Sequence, residues 1–80
     1  MSNVSRKLSA EERRKVHLNA LQTALSYVET SIQMFENMNR NLKALTGKKS
    51  FAIDHLVFVL TTEKERIREE MRKVRKLLGE

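Results

Sequence analysis

The sequence predicts an all-α protein: an antiparallel two-helix hairpin that completes a four-helix bundle by oligomerisation. Three observations lead there. Two apolar stripes alternate spacings of three and four, and a single Gly separates them. The first stripe is Leu18, Leu21, Leu25, Val28, Ile32, Phe35, Asn39, Leu42; the second is Ile53, Val57, Leu60, Lys64, Ile67, Met71, Val74, Leu78. Such a repeat keeps one seam of a helix against a partner helix. The chain has no Pro and only two Gly in 80 residues, so nothing interrupts a helix between Glu11 and Leu45.

The elements follow in order. Residues 1–8 carry no periodicity and read as a basic, flexible tail, with residues 9–80 forming the hairpin. Ser9 and Glu12 have the spacing of a capping box, in which each side chain satisfies a free N–H of the first turn. A helix is therefore expected over 10–46. Gly47 suits the left-handed residue that ends a helix, and Lys43 opposes the negative end of the helix dipole. Lys48 and Lys49 lie in a turn over 47–50, and Ser50 is the candidate N-cap of a second helix over 51–78. Arg75 and Lys76 fall in its last turn and Gly79 follows it. Folding at this turn is expected to bring Leu42 near Val57, Ile32 near Ile67 and Leu25 near Val74, with a slide of one turn possible.

Two helices do not account for all the apolar residues. Ala20, Ala24, Tyr27, Ser31, Met34 and Met38 form a second stripe beside the first. Phe51 and Phe58 are seven apart and point away from the seam, with Ala52 and Val59 beside them and Leu56 bridging to the seam. Exposed contiguous apolar surface marks an interaction site. The expected partner or oligomer interface is therefore Tyr27, Met34, Met38, Phe51, Leu56, Phe58 and Val59. A chain this short buries only about 60% of its unfolded surface, so association is expected to support the core. The partner is the chain itself, as a homodimer, or another helical protein.

Asn39 and Lys64 interrupt the stripes. Each either marks a thin, wet layer, with Lys64 reaching out to solvent, or fixes register and partner choice. On the seam pattern alone, replacing both with Leu is expected to raise stability.

The net charge of +6 is unevenly placed. Arg13, Arg14 and Lys15 begin the first helix, and Arg72, Lys73, Arg75 and Lys76 end the second; a hairpin gathers these groups at its open end, together with Arg6 and Lys7. Basic clusters attract nucleic acid, anionic membranes or acidic protein segments. Against DNA or RNA binding, no aromatic side chain lies among these residues to stack on bases, and Glu63, Glu65, Glu69 and Glu70 interleave with them at ion-pairing distances along the helix. A small basic protein that contacts phosphates is thus the alternative to a structural or adaptor subunit.

Other chemistry finds little support. Gly47-Lys48-Lys49-Ser50 matches only the end of a phosphate-binding loop, and no strand precedes it. His17 and His55 fall at opposite ends of the expected hairpin, which argues against a metal site. No nucleophile–base pair can be assembled, so neither an enzyme nor a cofactor nor a small-molecule substrate is expected. The absence of Cys fits the reducing cytoplasm or nucleus. No signal peptide is legible in the first residues, and the longest apolar run, Leu56 to Leu60, is far too short to span a bilayer. Asn3-Val4-Ser5 matches a glycosylation acceptor, but use of it would require secretion.

Overall fold

The computed structural model describes residues 8–79 and consists of two α-helices, α1 over Ala10–Thr46 and α2 over Phe51–Leu77. They pack antiparallel as a hairpin. The tail residues 1–7, including Asn3, Arg6 and Lys7, and residue 80 lie outside the described residues.

The helix ends follow from their sequence. Ser9 Oγ accepts from the Glu12 N–H at 3.1 Å, and Glu12 Oε1 accepts from the Ser9 N–H at 2.8 Å, closing the capping box. These bonds to its ionised form hold the Glu12 carboxyl below the ordinary glutamate range. Gly47 ends α1 in the left-handed conformation at φ 88°, donating its N–H to the Lys43 carbonyl. A side chain at that φ would be strained. Ser50 caps α2, its hydroxyl accepting from the Ile53 N–H at 3.2 Å.

The two stripes form the seam. Every stripe residue of both helices is buried or half-buried, while most neighbouring positions are exposed. The seam is thin: Ile32, Met71 and Val74 are the buried apolar residues among those described, and none of them is wholly sealed from solvent. Two packed helices cannot surround a side chain on all sides, so each seam residue keeps one edge in water.

The register differs from the expected one. Asn39 lies seven residues before the end of α1, yet it bonds to Ser50 and Asp54 at the start of α2. On the expected pairing it would lie near Leu60. The His17–Glu70 hydrogen bond at 2.6 Å carries the displacement up the hairpin, because the expected pairing leaves His17 beyond the end of α2; the Glu29–Arg68 ion pair at 3.0 Å lies within two residues of the expected pairing and fits either register. Stepping the stripes from Asn39 and Ile53 sets Ile32 level with Leu60, Leu25 with Ile67 and Leu18 with Val74. This is one heptad from the expected pairing. The cause is the connection. Residues 47–50 run back along α1 instead of turning tightly, so α2 starts level with Asn39. The last two turns of α1 therefore overhang, and Leu45, which closes no seam layer, is 85% exposed.

Candidate protein–protein interface

The Glu29–Arg68 ion pair and the His17–Glu70 hydrogen bond define the two sides of the hairpin. Counting in sevens from Glu29 places Gln22, Glu36 and Lys43 on its side of α1. Counting from His17 places Ala24, Ser31, Met38 and Leu45 on the other, with Ala20, Tyr27, Met34 and Asn41 just outside them. Because Glu70 shares the His17 side, so do Leu56 and Glu63 of α2, with Val59 beside them.

The expected interface residues divide between these sides. Tyr27, Met34, Met38, Leu56 and Val59 face the His17–Glu70 side. Phe51 and Phe58 lie outward on the Glu29–Arg68 side. All seven are exposed, and Phe51 is the most exposed at 92%. The Phe58 ring stacks on His55 with centroids 6.5 Å apart. Leu45 extends the first group, and sequence reasoning missed it because the expected register gave the last turns of α1 a partner.

Charge is also divided. From Val16 to Leu45, a stretch of 30 residues, the only Asp, Glu, Lys or Arg side chains are Glu29, Glu36, Arg40 and Lys43. All four fall on the Glu29–Arg68 side or its outer edge. The opposite flank of α1 is therefore uncharged from Ala20 to Leu45. In α2, by contrast, 11 of the 14 residues from Glu63 to Lys76 are charged. The apolar surface thus covers the whole flank of α1 but only the first turns of α2.

Asn39 and Lys64 sit in the seam in different ways. Asn39 is 3% exposed. Its Nδ2 donates to the Ser50 carbonyl at 3.2 Å and to Asp54 Oδ1 at 2.9 Å, and its Oδ1 accepts from the Ser50 N–H at 2.8 Å. Lys64 is half-buried and has no ion-pair partner among the described residues. Beside Asn39 lies the recess at the turn, about 440 Å³, lined by Glu36, Arg40, Lys43, Lys49, Asp54 and Val57. Its acids and bases oppose one another, which gives it no strong preference for an anion.

The basic residues meet at the open end, but several are already engaged. Lys15 pairs with Glu11 at 3.2 Å, Arg72 pairs with Glu69, and Arg13 donates to the Leu8 carbonyl at 2.7 Å. Arg14, Lys73, Arg75 and Lys76 make no ion pair among the described residues. Arg75 instead lines a shallow recess with Leu25, Met71, Arg68 and Arg72.

Among the described residues no three His, Asp or Glu side chains converge as a metal-binding group, and no helix is long and apolar enough to cross a membrane. No family model matches the chain, and no curated protein or solved structure matches it.

Proposed function

We propose that the protein is a small, non-enzymatic structural or adaptor subunit that docks the His17–Glu70 side of its hairpin onto another helical surface, its own copy or another protein. One observation carries the reading: Tyr27, Met34, Met38, Leu56 and Val59 form an exposed apolar flank that the hairpin's own seam does not use. Burying one such side chain is worth roughly 1.5–3 kcal/mol. A hairpin with so thin a core gains from that burial, and two further helices would cover the flank as a four-helix bundle.

Met34→Glu tests it. Met34 lies outside the seam, so helical content by circular dichroism should be retained while association, read as particle mass by light scattering, is lost. Loss of helicity would assign Met34 to the hairpin's own core and overturn the reading.

The second reading is phosphate binding at the open end, favoured by Lys73 and Lys76, which have no ion-pair partner among the described residues. It is the weaker one, because Glu11 and Glu69 already neutralise Lys15 and Arg72. Neither reading requires a cofactor.

A further inference from the structure

The pattern of the uncharged flank identifies its occupant, and the inference rests on the docking reading above. About Ser31 the flank is nearly its own mirror image. Reversing α1 on itself sets Tyr27 against Met34, Ala24 against Met38, and Val16 against Leu45. Met38 then fills the space above Ala24, while Tyr27 and Met34 pack against each other beside the axis. A two-fold axis makes this arrangement, with the same patch serving both partners.

We infer that the hairpin forms a face-to-face dimer in which α1 runs antiparallel to the α1 of a second copy, with the two-fold axis passing beside Ser31. Charge selects this arrangement. Each chain carries +6 with a basic cluster at its open end. In the antiparallel dimer the two open ends lie at opposite ends of the particle. The other two-fold arrangement would set α1 against the partner's α2. It would bring the basic ends together and place Tyr27 and Ala24 against the charged stretch that starts at Glu63.

Size makes this a small interface. From Val16 to Leu45 the strip is about 44 Å long and about 10 Å wide, on the order of 400 Å². The first turns of α2, carrying Leu56 and Val59, look the same way and add to it, while the charged stretch from Glu63 onward does not, so the contact stays below the ~800 Å² per partner of a standard complex.

Cysteine cross-linking tests the geometry directly, since the chain has no Cys. Under mild oxidation Ser31→Cys should give a disulfide-linked dimer at least tenfold faster than Thr30→Cys, one residue away on the outer face. Tyr27→Cys mixed with Met34→Cys should give a hybrid disulfide faster than either alone. Circular dichroism of each variant guards against misfolding. A protein that associates without these preferences would overturn the proposed geometry and leave the docking reading intact. A wild-type chain that stays monomeric up to submillimolar concentration would overturn the dimer itself. The Met34→Glu comparison bears on the docking reading separately.

Discussion

Asn39 clasps Asp54 across the hairpin, its Nδ2 donating to Oδ1 at 2.9 Å, and the same side chain both donates to and accepts from the backbone of Ser50. One amide thus ties α1 to the N-cap of α2 and fixes where α2 begins. Asn39→Ala leaves the Ser50 N–H without its acceptor in a part-buried place, a loss of about 1–3 kcal/mol. Asn39→Leu should also destabilise, reversing the sign expected from the seam pattern alone, whereas Lys64→Leu, which breaks no bond, should stabilise. Denaturant melts of the single variants check both signs; a stabilised Asn39→Leu would contradict the clasp.

The clasp explains why the hairpin was legible in the sequence and its register was not. The helix ends are encoded locally, by the Ser9–Glu12 spacing, by Gly47 and by Ser50, and the seam is encoded by stripes that all turn inward. Stripes that repeat every seven residues fit one another equally well after a slide of seven. What decides between the fits is the path of residues 47–50 and the bonding of one polar residue, and neither has a periodic signature. The division of the exposed apolar residues between two sides depends on the same packing. Phe58 and Val59 are neighbours in sequence but lie on different flanks.

The capping box should respond to pH. Glu12 titrates below its ordinary value of 4.5 because it accepts the Ser9 N–H in its ionised form. A carboxyl depressed on folding stabilises the folded state above its unfolded pKa, and that contribution is lost as pH falls through the folded value. Amide exchange at residues 10–13 should therefore quicken as pH drops below about 4.5 relative to the rest of α1, after correction for intrinsic rates. Ser9→Ala should show the faster exchange already at neutral pH, and an unchanged pattern in both cases would remove the role of the box.

Phe58→Asp and Met34→Glu separate the two sides of the hairpin. Both residues are outside the seam, so both variants should remain helical. Only Met34→Glu should abolish dimerisation, because Phe58 faces the Glu29–Arg68 side. Equal loss of association from both, seen in gel filtration, would mean that the interface wraps round to the outer face of α2 and is not confined to the flank of α1.

Salt should act on self-association and on phosphate binding in opposite directions. Two chains of +6 repel each other, and screening weakens that repulsion, so dimer affinity should rise between low and physiological salt. Binding of DNA or RNA at the open end would release counterions and weaken over the same range. Replacing Arg14, Lys73, Arg75 and Lys76 with Gln should then abolish any nucleic-acid binding while helicity and dimer mass remain. A salt-resistant, sequence-selective complex in fluorescence anisotropy would favour the alternative function.

The most direct test of the account is the solution mass of the wild-type chain by sedimentation equilibrium, across micromolar to submillimolar concentration. A dimer gives about 19 kDa, twice the 9.4 kDa of one chain, with Met34→Glu falling back to the mass of one chain at unchanged helicity. A wild-type mass of one chain throughout, with a cooperative melt that does not depend on concentration, would contradict it.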